Sequence, residues 1–230
     1  MGQMTDLRKA LEGQREMERQ FVAGVRNSEK QPKGWPAALI LFHVSMWRER
    51  LRNALADVRD GRPYQPPPEN IDEFNDAEVA SGLGVSLADI SERSDTLLAS
   101  LITLSEQLGE RPFKWYIANT TTEALLRNSY IHPRNHIVEY LTENGDQAGA
   151  KRLVEEAASE MRDVSAPALA LGAALYNLAG VRATQGRLDE AIELLHEALP
   201  MRPDMKSVAP TDQDLAPLRD DPRFKEMVSS

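Results

Sequence analysis

Apolar residues recur at intervals of three and four positions along most of the chain, and this is the period of an amphipathic α-helix. No segment shows the strict alternation of apolar and polar residues that is typical of a β-strand. In the first 145 residues the helical period covers four long segments, which predicts an all-α fold built as a four-helix bundle. The predicted helices are 5–26, 36–60, 86–108 and 119–144, and a short helix is predicted over 72–80.

The first two predicted helices differ in how regular their apolar stripes are. In the first, Thr5 is the predicted N-cap and the stripe is imperfect. The second is regular, and it begins at Pro36, which suits a first helical turn because its missing N–H would have no partner there. The two stripes are Leu7, Leu11, Met17, Phe21 and Val25, and Ile40, Val44, Trp47, Leu51, Leu55 and Val58.

The fourth predicted helix contains a proline, Pro133, directly after His132. A proline inside a helix removes one backbone hydrogen bond and costs about 3 kcal/mol or more. Either a kinked helix or a new helix that begins at Pro133 explains this position.

Beyond residue 145 the chain is rich in Ala, Leu and Glu, and its residues fit the tetratricopeptide pattern. One repeat opening at residue 172 fits well, and another one, 41 residues earlier, fits in part. We therefore expect two domains, 1–145 and 146–230, in which the tetratricopeptide-like tail shares the end of the fourth bundle helix. The matching residues are Leu178, Ala179, Gly186, Ala191, Leu195, Ala198 and Pro203 in the repeat that opens at residue 172, and Gly145, Ala150, Val154 and Ala157 in the earlier one.

Composition and charge argue against several classes of function. The chain has 230 residues, a net charge of −9 and no cysteine. The negative charge argues against a protein that follows nucleic-acid phosphates, and the lack of cysteine excludes disulfides, thiolate ligands and a Cys nucleophile. No apolar run reaches the roughly 18 residues that a membrane span needs, and the polar N-terminal residues lack the apolar core of a signal peptide. The expected compartment is the cytoplasm.

Three of the four histidines can meet at one place. His132 and His136 are four residues apart, so on a helix both imidazoles project from one face. One helix can supply two metal ligands at this spacing. His43 lies on the apolar stripe of the second helix, three residues after Ile40 and four before Trp47. Where the second and fourth helices of a bundle face each other, the three imidazoles surround one point.

Each of these residues also has a simpler interpretation. A histidine on an apolar face, such as His43, is more often a hydrogen-bonded core residue than a ligand, and a single His-x-x-x-His pair is a weak motif. We expect His196, in the tail, to be a surface or packing residue, and Trp47 and Trp115 to belong to the core. Only a fold that unites the three histidines would favour a metal site.

The segments around these histidines resemble a known family. Residues 34–48 (GWPAALILFHVSMWR) are similar to the second-helix signature of the DinB superfamily, which has a Trp, a His eight residues later and an aromatic residue one turn further on. Residues 128–140 (NSYIHPRNHIVEY) are similar to its fourth-helix pattern, although the proline between the two histidines departs from the commonest form. The resemblance covers about residues 5–145. In the tail, residues 212–224 (DQDLAPLRDDPRF) resemble the closing segment of bacterial tetratricopeptide arrays.

The DinB resemblance implies a four-helix bundle, often dimeric, in which His43, His132 and His136 hold a divalent metal, with zinc or nickel as the expected ion. Three neutral imidazoles leave one coordination position open, as catalytic sites do. Some family members are transferases that use low-molecular-weight thiols, and others act on different small molecules. We therefore expect a metal-dependent enzyme that acts on a small molecule by thiol transfer or hydrolysis, without a nucleic-acid or membrane partner. Glu139 and Asp95 are candidates to orient the imidazoles.

An interaction protein is the alternative. Tetratricopeptide units stack to form concave surfaces that bind peptides, so the tail would bind a protein partner while the metal site is structural or vestigial. Against this, about one and a half repeats form a poor groove, because three or more are usually needed.

Overall fold

The computed structural model describes residues 2–26 and 32–229. These residues are mostly helical, which confirms the expected helical class. The chain divides into two compact units, 1–150 and 151–230. Within the described ranges, every helix is too short or too polar to cross a membrane.

The first four helices lie close to where the apolar spacing predicts them. Side-chain oxygens cap two of them, because Asn70 accepts a hydrogen bond from the Glu73 N–H and Ser86 accepts one from the Asp89 N–H. The first helix begins before Thr5, so the prediction that Thr5 is its N-cap is wrong. The helices are α1 (Gly2–Arg26), α2 (Ala37–Arg59), α3 (Ile71–Ser81) and α4 (Leu87–Leu108).

The buried face of α1 differs from the predicted stripe. Leu7, Leu11 and Phe21 are buried as expected. Between Leu11 and Phe21, however, the buried residues are Gln14 and Glu18, whereas the predicted stripe residues Met17 and Val25 are only partly buried. The interior of this unit therefore accepts polar side chains from α1, and the apolar pattern alone pointed to the wrong positions.

The expectation that the chain has no strand is wrong at one place. β1 (Pro112–Trp115) and β2 (Ala118–Thr120) form an antiparallel hairpin. Its turn contains Tyr116 at a positive φ of 53°, a conformation that is uncommon for a residue with a side chain. Strands of four and three residues are too short to show a periodic pattern in the sequence.

The fourth predicted helix is continuous in space but changes its hydrogen-bonding pattern. It begins with α5 (Thr121–Leu126), passes through a π-helical turn at Arg127–Ile131, and continues as α6 (His132–Glu143). We call residues 127–131 the π segment. Pro133 is therefore the second residue of α6, and because the helix continues from the π segment its missing N–H removes one backbone hydrogen bond. The α-helical hydrogen-bonding pattern thus resumes at His132, one residue before Pro133, and the helix does not end there.

The helices of the first unit pack around a shared interior. α1 and α2 both pack against α4, the π segment contacts α1 and α2, and α6 contacts α2. This arrangement brings the second turn of α2, with His43, beside the start of α6. The largest fully buried side chains here include Leu11, Leu41, Arg48, Leu51, Leu55, Ile90, Leu98, Leu101, Trp115, Leu125 and Tyr130.

The second unit contains α7 (Gln147–Asp163) from residue 151 onward. It also contains α8 (Ala168–Thr184) and α9 (Leu188–Met201), which pack against each other. Short 3₁₀ turns at Pro203–Ser207 and Ala216–Leu218 lead to α10 (Pro222–Ser229). In this last part of the chain the side chains of Leu215, Leu218 and Phe224 are buried.

Candidate metal centre

The structure brings the three predicted histidines together. The Nε2 atom of His132 lies between the other two rings. It is 3.1 Å from the Nε2 of His43 on α2 and 3.0 Å from the Nε2 of His136. One ring nitrogen from each residue can be chosen so that all three lie within 4.8 Å of one another. His43 is buried, while His132 and His136 are partly exposed. The cluster therefore extends from the buried interior to positions that are partly exposed to solvent.

Helix geometry explains the position of each imidazole. His132 and His136 are one turn apart on α6, so their rings leave the same face. Leu125, Ser129 and Tyr140, which share this stripe, are all buried, as the sequence predicts for an inward-facing surface. His43 meets them because α2 packs against α6.

The surroundings keep the three imidazoles neutral near neutral pH. Burial, and to a smaller extent the nearby His136, lower the pKa of His43 to about 4. Burial also lowers the pKa of His132 well below its ordinary value, and the neighbouring His136 and His43 act in the same direction. For His136 burial lowers the pKa, and Glu139 opposes this shift. A neutral imidazole offers the lone pair that a metal ligand needs.

The ring nitrogens lie close enough together that they could hold a metal ion. A neutral ring nitrogen carries either one N–H or one lone pair, so the Nε2 of His132 makes one well-directed hydrogen bond and not two. It nevertheless has an Nε2 neighbour on each side, at 3.1 and 3.0 Å. Nitrogen ligands at about 2.0–2.1 Å in a tetrahedral site would be roughly 3.3 Å apart, close to these separations. These three residues fit a divalent metal by donor type and by spacing.

A cleft opens beside the cluster. Its volume is about 360 Å³, and its lining includes His136. Trp35 forms one wall: its ring stacks on His136 with 5.8 Å between centroids, and it meets His43 edge-on at 5.5 Å. The indole remains 39 % exposed, so one part of it covers the histidines while another is open to a ligand. The full lining is Gly34, Trp35, Ile40, His136, Glu139, Tyr140 and Glu143.

The segment that carries Trp35 is fastened to the end of α6. The Asn144 side chain accepts a hydrogen bond from the Lys33 N–H at 2.8 Å and donates one to the Lys33 carbonyl at 3.2 Å. Gly34 adopts a positive φ of 66°, and a Cβ there would lie 1.8 Å from a carboxylate oxygen of Glu143. The positive φ favours glycine here, and a larger residue would also have to displace the Glu143 carboxylate. The hydrogen bonds between the Asn144 side chain and the Lys33 backbone therefore hold the segment that places Trp35 over His136.

The remaining predicted residues have different outcomes. Glu139 lies near the cluster, with 3.7 Å between its carboxylate and the Nδ1 of His136. Among the described hydrogen bonds, Asp95 makes none to the histidines. Both of its carboxylate oxygens accept from Arg15 and Arg19 instead. That suggestion is wrong, and the reason is that Asp95 faces α1.

The other ring side chains follow the simpler expectations. Trp47 and Trp115 are buried, as predicted for core residues, and His196 is exposed on α9. Trp47 also approaches the cluster, with 6.5 Å between its ring centroid and that of His43. Its Nε1 donates a hydrogen bond to the Asn75 side chain at 3.0 Å.

A buried ion pair was missed from the sequence. Arg48 on α2 donates hydrogen bonds to both carboxylate oxygens of Glu18 on α1, at 2.8 and 2.6 Å. The two residues are 0 and 6 % exposed. The available signal was their register, since Glu18 and Arg48 occupy helix positions that continue the apolar stripes at Leu11 and Val44.

Comparisons with known proteins identify no relative: no family model, no curated protein and no solved structure matches this chain.

Proposed function

We propose that this protein binds a divalent metal ion, zinc or nickel, on His43, His132 and His136 and uses it as an enzyme on a small molecule. The convergence of three Nε2 atoms, with neighbouring separations of 3.0 and 3.1 Å, carries this proposal. The lowered pKa values of all three imidazoles support it, because they remove proton competition for the lone pairs.

The fold that fits this function is a DinB-like four-helix bundle. Its four members would be α1, α2, α4 and the combined α5, π segment and α6, with the ligands on the second and fourth. This is the placement that the sequence resemblance implies. The same resemblance suggests a homodimer and a low-molecular-weight thiol as cosubstrate, and both remain predictions.

The chain's own residues suggest how a substrate would be held. A bound metal would supply Lewis acidity at its open coordination position. Glu139, close to the Nδ1 of His136, would fix the orientation of that ring. The cleft beside His136 would receive the small molecule, with Trp35 as an apolar wall and Glu139 and Glu143 as acidic groups at its edge. Because the chain has no cysteine, a thiol nucleophile would have to come from a second substrate.

Hydrolysis and thiol transfer both agree with this site. In either reaction the protein would bind and orient the reactants, while Trp35 limits access of water to the histidines. We favour neither reaction over the other, since the same three imidazoles and the same cleft serve both.

A protein-interaction function remains the second candidate. The pair α8 and α9 supports a tetratricopeptide-like tail: Gly186 makes the turn between them at a φ of 77°, and Ala191, Leu195 and Ala198 are buried. A single helix pair provides little groove for a peptide, so we place this function second.

Metal content tests the proposal directly. Elemental mass spectrometry on the purified, untagged protein should find about one zinc or nickel ion per chain, before or after incubation with the added ion. The triple variant with His43, His132 and His136 replaced by Ala should lose this ion. The matched control is His196→Ala, which removes the exposed fourth histidine and should keep full stoichiometry. A wild-type protein that takes up neither metal, or a His132→Ala variant that retains full stoichiometry, contradicts the proposal.

A further inference from the structure

A network of buried polar side chains connects three helices to the π segment that ends directly before His132. Its centre is the Arg48 guanidinium, which is 0 % exposed and pairs with Glu18. Arg48 also donates a hydrogen bond to the Ser94 hydroxyl at 2.8 Å and one to the Ser129 carbonyl at 3.1 Å. Through these contacts one side chain of α2 reaches α1, α4 and the π segment.

Pro133 explains why the Ser129 carbonyl is available to Arg48. In an α-helix the N–H of residue 133 would donate to the carbonyl of residue 129, but a proline has no N–H to donate. The carbonyl of Ser129 accepts from the Arg48 guanidinium instead. The guanidinium therefore compensates for Pro133, which follows His132 and lies four residues beyond the bonded carbonyl.

A second arm of the same network reaches α6 between its two histidines. The Gln14 side chain donates a hydrogen bond to Glu18 at 2.8 Å and accepts one from the Arg134 Nε at 2.8 Å. Arg134 also lies over the ring of Tyr130, 4.1 Å from its centroid. The network thus contacts the chain on both sides of His132.

Stability alone gives a weak reason for burying these charges. Replacing a buried ion pair with apolar side chains of similar volume is often neutral or stabilising, because removing two charges from water is costly. Here one polar atom of the guanidinium, the Arg48 Nε, is also buried without a hydrogen-bond partner among the described residues. The best-attested role of buried polar groups is to select one packing arrangement.

We propose that Arg48 and Glu18 are positioning residues for the metal centre. Their hydrogen bonds hold the π segment in register, and this sets the direction in which His132 leaves the start of α6. Arg48 lies on the same helix as His43, five residues further on. The helix α2 therefore positions both the ligand His43 and the hydrogen-bond donor to the Ser129 carbonyl. The inference rests on the proposed function, since it concerns the same three histidines.

Co²⁺ titration of the full chain tests this role, because its visible absorption reports the geometry of its ligands as well as its affinity. Arg48→Met and Arg48→Lys should each lower Co²⁺ affinity about 10- to 100-fold and change the spectrum. Lysine keeps the charge, but it lacks the planar fork that bonds Glu18 and Ser129 together. The matched control is Leu55→Ala, a buried residue of α2 about 18 Å along the helix from His43. It should lower the unfolding midpoint while leaving Co²⁺ affinity within about twofold of the wild-type value.

The double variant Arg48→Met/Glu18→Gln separates positioning from stability. Removing the unpaired carboxylate should restore part of the unfolding midpoint lost in Arg48→Met, whereas the Co²⁺ affinity and spectrum should stay altered because Ser129 still lacks its donor. If affinity recovers together with stability, or if Leu55→Ala loses as much affinity as the Arg48 variants, the positioning role is wrong. Should Arg48→Met not fold, Arg48→Lys and Gln14→Leu provide the same comparison. A wild-type protein that binds no Co²⁺ contradicts the proposed function itself, whereas tight wild-type binding with unchanged Arg48 variants contradicts only this inference.

Discussion

The indole ring of Trp35 lies nearly parallel to the imidazole of His136, with 12° between the ring planes and 5.8 Å between their centroids. The same indole touches His43, so one aromatic side chain contacts residues of two different helices at the candidate metal centre. It is held there by the hydrogen bonds between Lys33 and Asn144. The position of Trp35 therefore provides an optical probe of the site.

Replacing Trp35 should remove most of the fluorescence change that metal binding causes. A bound Ni²⁺ ion quenches nearby indoles, and Trp35 is closer to the histidines than Trp47. We expect saturating Ni²⁺ to quench wild-type emission and to quench Trp35→Phe much less. Trp115→Phe is the control, because the described ring contacts of Trp115 are with Phe113 and Tyr116 and not with the histidines. Equal loss of quenching in the two variants would contradict this placement of Trp35.

Alanine at Gly34 should destabilise the first unit more than alanine at Gly61. Both glycines have a similar positive φ, 66° and 68°, so both substitutions cost about 1–2 kcal/mol of backbone strain. Only at Gly34 would the new Cβ meet another group, the Glu143 carboxylate. Because this carboxylate is the mobile end of an exposed side chain and can turn away, we expect Gly34→Ala to lower the free energy of unfolding by at most about 1 kcal/mol more than Gly61→Ala in urea titrations.

The glutamate should account for this difference. In a background carrying Glu143→Ala, Gly34→Ala and Gly61→Ala should become equally destabilising, because the clash is gone while the backbone strain remains. If Gly34→Ala still lowers the free energy of unfolding more than Gly61→Ala in this background, Gly34 is required for another reason.

Asp95 should stabilise the protein at neutral pH and lose this effect in acid. Arg15 and Arg19 hold the pKa of its carboxyl below the ordinary value of 3.8 in the folded protein. A group with a depressed folded pKa stabilises the fold above its unfolded pKa, and the contribution disappears as the pH falls through the folded pKa. Asp95→Asn should therefore lower the free energy of unfolding by about 1 kcal/mol at pH 7.

The pH series for this variant runs from pH 7 to pH 2.5 by urea titration. The difference in free energy of unfolding between wild type and Asp95→Asn should be constant down to about pH 4 and should disappear at lower pH. Asp76→Asn, at an exposed position of α3, is the control for removing one negative charge. If the difference does not narrow in acid, the ion pairs with Arg15 and Arg19 do not explain the stability that Asp95 contributes.

Truncating Phe224 should destabilise the second unit strongly. Its side chain is 2 % exposed, although it lies only six residues from the end of the printed sequence. Removing a buried phenylalanine costs about 3–5 kcal/mol, so Phe224→Ala should lower the unfolding midpoint by several degrees. Val208→Ala, at a position that is 47 % exposed, should change it little. A Phe224→Ala protein as stable as this control would show that residues 212–224 add nothing to the unit's core.

Helical spacing was a sufficient guide wherever burial follows one face of a long helix. It placed α2 and α4 within one or two residues of their ends, and it put His132 and His136 on one inward face. It was less successful at α1, because Gln14 and Glu18 are buried through bonds to residues on other helices. Register with the apolar stripe was the only local signal for such a residue, and the partners that allow its burial lie on other helices.

The sequence by itself determined the helical class of this protein, the face of α6 that carries two histidines and the face of α2 that carries the third, because these properties depend on neighbours three and four residues apart. Tertiary structure alone decided that the three Nε2 atoms meet, that Trp35 covers them and that Arg48 donates to the Ser129 carbonyl, to which Pro133 cannot donate. Each of these contacts joins residues about 80 or more positions apart, or depends on a backbone turn stabilised by such contacts. Their geometry arises from how helices pack, and no periodicity within one helix encodes it.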